Sequence, residues 1–551
     1  MTAHTATSVT RHIRRTVTVA LVALAGLMPG SRQELAGQAA GGAETIARTA
    51  TALGGRERLL AIRTLTIEGY GQLAYQNGGG NITASPDAPQ KWINVSDYSR
   101  VIHLDPLRTR VRQRQAYDFV FAAAANMRGV VSTQALDGDV AFNLNAQGNA
   151  SRAGAAAVRT RRLEALAHPI ALVRTALASS TKVGARRTSG TLHLVDVTIP
   201  AGDTLTLAVD GATSLPVWIS WMTSDTNLGD VVYRAWFTGY QPVSGVLMPT
   251  GFNTTIDFRN VVVQKLYVDR QAIDAATDDL AAPASLRPTS PAPPAAAAPA
   301  ASATPAAPPG PQIGATELGK GIWFLTGAGN STLFEFADHL TLFEVYASEA
   351  NARAVIAKAR SLVPNKPLTE VIISHHHFDH SGGLRAAVAE GLTIVTHRGN
   401  EALFRELVSR PAKLAPDALA TRPQPIKLRL VDDHLPMKDA SMAIDVYRVV
   451  ANSHMADGLM VYVPRDRLLV QGDLFDVSWE VYWWGSSYMD NVRHRNIQVD
   501  RDVPVHGRVL PIAEVQQGIE RQIKNAQDLC ASVASAGLGM KGCPVKTTVD
   551  R

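Results

Sequence analysis

The sequence predicts an α+β protein made of two unequal domains, a β-rich half-barrel-like domain followed by a domain in which strands alternate with helices. Three observations support this prediction. A chain of 551 residues is too long for one hydrophobic core. Residues 281–312 contain 13 Ala and 10 Pro, with Arg287 as the only charge, which is typical of a semi-extended linker. The hydrophobic pattern also changes across this linker, from mostly period 2 to strands mixed with helices.

Residues 1–39 are predicted to be a secretory signal. Three arginines between positions 11 and 15 precede a largely apolar run at 17–27, and small residues follow at 36–40. A run of 11 apolar residues is too short to span a bilayer comfortably, although an uncleaved anchor is the alternative. We therefore expect a periplasmic or secreted protein without stable membrane insertion after signal cleavage.

Charge and cysteine content exclude several functions. The 54 basic residues outnumber the 48 acidic residues by only six, which gives no argument for a nucleic-acid partner or a nuclease. Two cysteines are too few for a cysteine-ligated zinc ribbon or an iron–sulfur protein. In an exported protein, the pair Cys530 and Cys543 favours a disulfide over two unrelated thiols.

Residues 41–280 are predicted to form the β-rich half-barrel-like domain. A helix at 43–53 starts it, a helix at 161–179 interrupts it, and turns rich in Gly, Asp, Asn and Pro separate period-2 segments. The predicted strands are 64–75, 101–115, 191–199, 204–209, 215–222, 231–240 and 252–268. The strands and turns around "LAVDGATSLPVWIS" and "YRAWFTGYQPVSGVLMP" resemble the periplasmic lipoprotein-carrier half-barrels.

Four arginines alternate along one predicted strand of this domain, at positions 108, 110, 112 and 114. Side chains two residues apart on a strand point to the same face, so all four guanidinium groups project from one side of the sheet. Such a row could bind an anionic surface or ligand. The alternative interpretation is a solvated outer face.

Residues 313–551 are predicted to carry the chemistry. A helix at 348–362 has a serine suited to cap it, and the short strand "TEVIIS" runs directly into "HHHFDHSGG". His375 and His377 share one side of an extended segment, whereas Asp379 and His380 lie where the chain turns into a helix. Imidazole and carboxylate are the ligands that zinc takes when no thiolate is present, so this one loop can supply two adjacent metal positions.

Further ligands must come from downstream, because four side chains cannot complete two tetrahedral sites. Three candidates follow in the chain, each at a strand end or in a loop: His454 in "NSHMADG", Asp473 in "VQGDLFD" and His506 in "VPVHGRV". Gly382 and Gly383 are expected to let the first loop pack close to the site. His376 points the other way and is expected to support the ligands or to be exposed.

The motif H-x-H-x-D-H, the later His, the "GD" and the "HG" resemble the metallo-β-lactamase-fold hydrolase superfamily, with a glyoxalase II-like ligand set. The resemblance covers about 313–551 and implies an αββα sandwich with a two-metal site at one edge of its sheets. It implies that the first Zn²⁺ is held by His375, His377 and His454, and the second by Asp379, His380 and His506, with Asp473 bridging the two.

The sequence departs from the family in three ways. Glu344 stands where members usually have Asp, which leaves the contacts behind the ligands open. Asp473 occupies the position at which one major branch of true lactamases has a metal-binding Cys. No Lys occurs between positions 474 and 505, where that branch has the lysine that binds the lactam carboxylate. Antibiotic hydrolysis is therefore not expected.

An aromatic insertion lies between two candidate ligands, in "SWEVYWWGSSYMDNVRHRN". It has five aromatic residues within ten positions, in a chain that is only 6% aromatic: Trp479, Tyr482, Trp483, Trp484 and Tyr488. Since both ends of the insertion are anchored at the metal site, we interpret it as a substrate wall or lid, with Arg493 and Arg495 as anion contacts. Aromatic packing beneath a loop or at a dimer contact is the alternative.

Together these features predict an exported dinuclear zinc metallo-hydrolase that uses a metal-bridging hydroxide to cleave an ester, thioester, lactone or amide bond in a small molecule. Asp379 is the predicted catalytic residue, orienting the hydroxide and shuttling its proton. The alternatives are a mononuclear iron sulfur dioxygenase on the same fold and a non-catalytic envelope protein that binds lipid or lipoprotein. Because the linker crosses no predicted element, residues 313–551 are expected to bind metal and hydrolyse small substrates by themselves.

Overall fold

The structure is a computed structural model that describes residues 30–77, 83, 90–119, 129–287 and 311–535, with side chains from position 41 to 532. The apolar run at 17–27, most of the Pro/Ala tract and Cys543 lie outside these residues. The signal, the linker and the disulfide therefore stay predictions. Within the described part of the chain, no helix is both long and apolar enough to cross a membrane.

The first domain is an open antiparallel sheet of 14 strands in the order β6-β5-β4-β3-β2-β1-β14-β13-β12-β11-β10-β9-β7, with β8 paired to β9. The last strand, β14, returns to pair with β1, so the two ends of the domain meet at the centre of the sheet. Its strands are β1 (Thr64–Ala74), β2 (Trp92–Leu104), β3 (Leu107–Tyr117), β4 (Val130–Asp137), β5 (Val140–Leu144), β6 (Ala150–Arg152), β7 (Lys182–Val183), β8 (Arg187–Ser189), β9 (Leu192–Thr198), β10 (Thr204–Asp210), β11 (Pro216–Asp225), β12 (Gly229–Val243), β13 (Val246–Ile256) and β14 (Val262–Ile273).

Helices cover one face of this sheet, which explains its period-2 pattern. Apolar side chains on every second residue of the strands pack against helical residues such as Ile46, Leu53 and Ile170, and burying this apolar surface stabilises the domain. The helices are Gly30–Leu53, Arg56–Ala61, Ala155–Leu166 and Pro169–Ala176. The expectation of a large β-rich first half is confirmed.

Three predicted elements of the first domain are wrong because turn residues divide them. The strand predicted at 101–115 spans the end of β2 and most of β3, joined at Asp105 and Pro106. The strand predicted at 252–268 is broken by Arg259 and Asn260, both in the left-handed region. The helix predicted at 161–179 is two helices, because Pro169 cannot donate to a preceding turn and starts the second helix instead.

The second domain is a sandwich of two sheets. A mixed sheet of seven strands faces a mixed sheet of six strands, and apolar side chains of both, such as Phe334, Ile372, Val461 and Val503, form the core between them. The strands of the first sheet are β15 (Gly314–Gly319), β16 (Ile322–Thr326), β17 (Asn330–Glu335), β18 (Leu340–Phe343), β19 (Leu368–Ile372), β20 (Thr393–His397) and β21 (Lys427–Val431). Those of the second are β22 (His434–Lys438), β23 (Ala443–Arg448), β24 (Leu459–Val463), β25 (Leu468–Gln471), β26 (Arg501–Pro504) and β27 (Leu510–Pro511).

Helices cover the outer faces of both sheets, which confirms the predicted αββα sandwich. On the first sheet these helices are Glu349–Leu362, Phe378–Ser381, Leu384–Ala389, Glu401–Ser409 and Ala418–Thr421; on the second they are Ser487–His494 and Ile512–Ser535. The predicted serine cap is also present, since Ser348 Oγ accepts a hydrogen bond from the Asn351 N–H at 3.3 Å.

The two domains share a hydrophobic core. Leu228, Val231 and Phe258 of the first domain pack in one cluster with residues of the second, including Leu403 and Phe404. Polar contacts surround this cluster, and the Asp230 carboxylate accepts hydrogen bonds from the backbone N–H groups of residues 413 and 414 at 2.8 and 3.0 Å. Removing the first domain would expose this apolar surface, so the structure weighs against the expectation that residues 313–551 act alone.

Candidate metal centre

The seven candidate ligands lie at one edge of the two sheets of the second domain. His375 and His377 follow β19 directly, and Asp379 and His380 belong to the short helix Phe378–Ser381 that continues the same loop. The other three come from the second sheet: His454 from the loop before β24, Asp473 from the end of β25 and His506 from the end of β26. The folded chain thus brings together residues separated by up to 131 positions.

These side chains form two adjacent groups, each with ligand atoms within 4.8 Å of one another: His375, His377, His454 and Asp473, and then Asp379, His380 and His506. His375 Nε2 and His377 Nδ1 are 3.0 Å apart, and His380 Nε2 and His506 Nε2 are 3.4 Å apart. Two imidazole ligands of one tetrahedral zinc ion are separated by roughly 3.3 Å, so both groups have the spacing that an ion requires.

Asp473 lies between the two groups. Its Oδ1 is 3.2 Å from His380 Nε2 and 3.1 Å from His506 Nε2, whereas its Oδ2 is 2.8 Å from His454 Nε2. Each carboxylate oxygen therefore faces a different group, which is the arrangement that a bridging ligand needs. Oδ1 is buried and accepts no hydrogen bond from the described residues, although two imidazole nitrogens surround it. A shared cation would satisfy these atoms.

Burial and charge set the protonation of the cluster. Burial lowers the pKa of His375 to about 4 and that of His377 well below its ordinary value, so both rings are neutral and present a lone pair. Burial also opposes charge on His380, but the carboxylates of Asp473 and Asp379 outweigh it and raise the pKa of His380. Neutral imidazoles and ionised carboxylates are the forms that bind a divalent metal, so His375 and His377 are already in the ligand form, whereas His380 would release its proton when an ion binds. The donor set of imidazoles and carboxylates fits such an ion.

Glu344 supports this cluster from behind, which settles the contacts left open by the sequence. Its Oε1 accepts a hydrogen bond from the Ser374 N–H at 2.8 Å and lies 3.4 Å from His380 Nδ1, and its side chain is fully buried. The longer Glu side chain therefore orients the His380 ring. The paired glycines also pack as predicted, because a Cβ on Gly383 would lie 1.9 Å from the Val345 carbonyl oxygen.

Replacing Glu344 with alanine is expected to weaken metal binding and folding together. The change leaves the buried Ser374 N–H without its acceptor, at a cost of about 1–3 kcal/mol in the free energy of unfolding. It also frees the His380 ring, which should weaken metal affinity by roughly 10–100-fold. Zinc titration and thermal denaturation measure the two effects. Glu317→Ala, at an exposed position on β15, is the control. Unchanged zinc affinity in Glu344→Ala would contradict the orienting role.

Asp379 is held on both of its oxygens. The Tyr346 hydroxyl donates a hydrogen bond to Asp379 Oδ2 at 3.1 Å, and the Asn77 amide donates one to Oδ1 at 3.1 Å. Burial and the Asp379 charge raise the pKa of Tyr346, so its phenol stays protonated and can donate. Burial alone would favour a neutral Asp379, but the neighbouring imidazoles outweigh burial and lower its pKa. The carboxylate is thus ionised and fixed in orientation.

The aromatic insertion contributes both to the site and to packing. Trp484 stacks on the His454 ring at 4.1 Å between centroids, and its indole N–H donates to the Asp473 carbonyl oxygen at 2.8 Å. Trp483 instead packs with the C-terminal helix, near Leu529. The wall interpretation and the packing alternative therefore each apply to part of the insertion.

The two arginines of the insertion do not face the cluster. Arg493 pairs with Asp490 at 2.9 Å, and Arg495 pairs with Asp433 at 2.7 Å. Neither arginine lines the cavity at the metal centre, so the structure does not place them where they could contact an anion bound there.

A cavity of about 380 Å³ opens in front of the ligands. His377, Asp379, His454, Asp473 and His506 form its floor. Its walls come from both domains: Tyr75, Asn77, Tyr346, Asp476, Ser478, Trp479, Tyr482 and Trp484. None of the described residues that line it is a lysine or an arginine. The cavity thus combines a polar floor with aromatic walls.

Sequence reasoning missed Tyr75, Asn77 and Tyr346. Asn77 lies more than 300 positions before the loop that it contacts, at the end of β1, and nothing in its local sequence marks it as part of the site. Tyr346 lies two positions after Glu344, a position that the family resemblance had already singled out. This nearness was the one sequence signal that Tyr346 belongs to the site. His376, expected to support the ligands or to be exposed, is 6% exposed.

The arginine row of the first domain is mostly neutralised. Arg108 pairs with Asp137 at 2.7 Å, Arg110 with Asp278 at 3.7 Å and Arg114 with Asp97 at 2.9 Å. These partners favour the solvated-face interpretation over an anion-binding surface.

The seven His and Asp side chains form a candidate metal centre at one edge of an αββα sandwich. Residues 325–482 match the sequence profile of the metallo-beta-lactamase superfamily. The C-terminal domain is therefore a metallo-β-lactamase superfamily domain, as the motif indicated. This fold implies a divalent metal, and the two His/Asp groups could bind one.

Comparisons with individual proteins cover less of the chain. A segment of 61 residues is 38% identical to a linear primary-alkylsulfatase from Pseudomonas sp., and it spans 11% of this chain and 9% of that protein. A metallo-beta-lactamase from Pontibacter korlensis is 14% identical with a TM-score of 0.30, covering 38% of this chain and 99% of its own. DIM-1 metallo-beta-lactamase is 14% identical with a TM-score of 0.32, covering 39% of this chain and 99% of its own.

Proposed function

We propose that this protein is an exported dinuclear zinc hydrolase that cleaves an ester, thioester, lactone or amide bond in an uncharged small molecule. The observation that carries the proposal is the position of Asp473, whose two carboxylate oxygens face two separate groups of ligand-type side chains. One ion would need only one of these groups. Export rests on the basic, apolar and small-residue order at the N-terminus.

The residues of the chain divide the catalytic work. Two bound divalent cations would supply an activated water and polarise the scissile oxygen of the substrate. Asp379 is ionised, borders the cavity and can accept a proton at its carboxylate. Tyr346 donates to that carboxylate and holds it in place. Trp484 covers the His454 ring and restricts water on that side.

The cavity walls support an uncharged substrate with an apolar portion. Trp479, Tyr482 and Trp484 present aromatic surface, whereas no lysine or arginine among the described lining residues could pair with an anionic group. The Asp476 carboxylate accepts hydrogen bonds from the Ser478 N–H at 2.9 Å and the Trp479 indole at 3.0 Å, and an acidic side chain in the cavity wall also disfavours an anionic substrate. This composition also disfavours β-lactams, which carry a carboxylate.

Metal analysis and a substrate panel test the proposal. We expect about two zinc ions per chain by elemental analysis, and hydrolysis of p-nitrophenyl acetate and of an aromatic lactone that chelation abolishes and added zinc restores. One iron per chain together with sulfur dioxygenase activity would replace the proposal with the iron alternative. No bound metal would favour the envelope-binding alternative. The panel includes a primary alkyl sulfate, and preference for it would overturn acyl hydrolysis.

A further inference from the structure

The first domain reaches the metal-site loop at two points. The Asn77 amide nitrogen donates to Asp379 Oδ1 at 3.1 Å, and the Asp379 backbone N–H donates to Asn77 Oδ1 at 3.2 Å. A second asparagine of that domain, Asn227, donates from its amide to the Phe378 carbonyl oxygen at 2.8 Å. Asn77, just after β1, and Asn227, between β11 and β12, thus bind consecutive residues of the loop that supplies Asp379.

The Asn77 contact controls which way the Asp379 carboxylate faces. Asp379 Oδ2 lies 3.7 Å from His380 Nε2 and 3.8 Å from His506 Nε2, on the side of the second ligand group. Oδ1 points to the first domain and takes the Asn77 hydrogen bond. One amide therefore fixes the backbone and the side chain of Asp379 together, so rotation of the carboxylate would break a hydrogen bond.

We infer that Asn77 is a positioning residue for Asp379 and that the active site is shared between the two domains. The inference deepens the proposed function and rests on it. Asn77 and Tyr75 also line the cavity, so the β-rich domain supplies part of the wall of the substrate pocket as well. The structure thereby gives the first domain a role in turnover.

The contacts of Asn77 fit a role in positioning Asp379 better than a role limited to holding the two domains together. The two domains are already held together by the shared apolar cluster around Phe258 and by the hydrogen bonds that Asp230 accepts from the loop at 413–414. Against that interface, loss of one partly exposed amide should lower the midpoint of thermal unfolding only slightly. The two hydrogen bonds that join Asn77 to the second domain go instead to Asp379, the residue predicted to be catalytic.

The test compares Asn77→Ala with the parent in the full chain. We expect kcat for p-nitrophenyl acetate to fall by roughly 10–100-fold with a smaller change in KM, as for other groups that orient a ligand. Zinc affinity at the weaker of the two sites, measured by competition with a chromophoric chelator, should fall by a similar factor. The midpoint of thermal unfolding should stay near that of the parent.

Two further variants separate positioning from general disturbance. Asn77→Asp keeps an acceptor for the Asp379 N–H but loses the donor and places two carboxylates together, so we expect zinc affinity and kcat at or below those of the alanine variant. Asn94→Ala is the matched control, because Asn94 lies in the same domain and is exposed. Among the described residues, its side chain has a hydrogen bond only with the Gln72 side chain. Its zinc affinity and kcat should equal those of the parent.

The outcomes distinguish this inference from the proposed function. If Asn77→Ala keeps parental zinc affinity and kcat while the parent is an active zinc enzyme, the inference is overturned and the proposed function stands. If the zinc affinity is parental but the protein unfolds at a much lower temperature, Asn77 is an adhesive contact and the inference is again overturned. A parent that binds no zinc would overturn both.

Discussion

Replacing Asp473 with asparagine is expected to reduce the zinc content below two ions per chain and to lower kcat/KM by more than 10²-fold. Asparagine keeps the size of the side chain but removes its charge and one of the two acceptor oxygens. Those oxygens face His380 and His506 on one side and His454 on the other, so neither group keeps its shared anionic ligand. Loss of a supporting group alone costs about 10–100-fold in metal affinity, so loss of a direct ligand should cost more.

Elemental analysis after equilibrium dialysis against zinc measures the stoichiometry, and steady-state kinetics measures the loss of activity. Asp502→Asn is a matched buried control, since Asp502 is fully buried, belongs to neither ligand group, and burial raises its pKa well above the ordinary value. Its zinc content should equal that of the parent. Two zinc ions per chain in Asp473→Asn would contradict a bridging role for this residue.

Replacing Asp379 with asparagine is expected to lower kcat by on the order of 10²-fold or more at saturating zinc, the scale of a general acid–base contribution. The amide cannot accept the proton that the ionised carboxylate can take. The change should affect folding little, because the side chain is partly exposed to the cavity and asparagine preserves its shape. Stopped-flow or steady-state rates with p-nitrophenyl acetate, together with thermal denaturation, measure the two properties.

Saturating zinc is essential to this comparison, because Asp379 also belongs to the second ligand group and a weaker metal site would itself lower the rate. Asp528→Asn, on the exposed side of the C-terminal helix, is the matched control and should turn over like the parent. A zinc-loaded Asp379→Asn enzyme with parental kcat would show that Asp379 is not catalytic.

The first domain changes how truncation experiments should be designed. The Pro/Ala tract suggests a natural place to divide the chain, yet the shared cluster around Leu228 and Phe404 and the Asn77 contact cross that division. A fragment starting at residue 313 would lose both. Substitutions in the full chain are therefore the better test of what the β-rich domain contributes.

Features that depend on residues close together in the chain could be predicted from the sequence. His375, His377, Asp379 and His380 lie within six positions, so their closeness in space follows from the chain itself. The serine cap at Ser348 and the αββα class are likewise encoded by local pattern and by the family motif. Local turn chemistry was harder to judge, since Pro169 divides a region that otherwise looks helical.

The residues that support the ligands from outside the motif are visible only in the folded structure. Asn77 donates to Asp379 across 302 positions, and Glu344 reaches His380 from a different strand, although neither residue carries a motif. Their roles come from the way β1 and β18 end beside one loop. Hydrogen bonds require heavy atoms within about 3 Å, and a sequence pattern constrains such distances only between close neighbours along the chain. The contacts between residues that are far apart in the chain therefore depend on how the two domains pack.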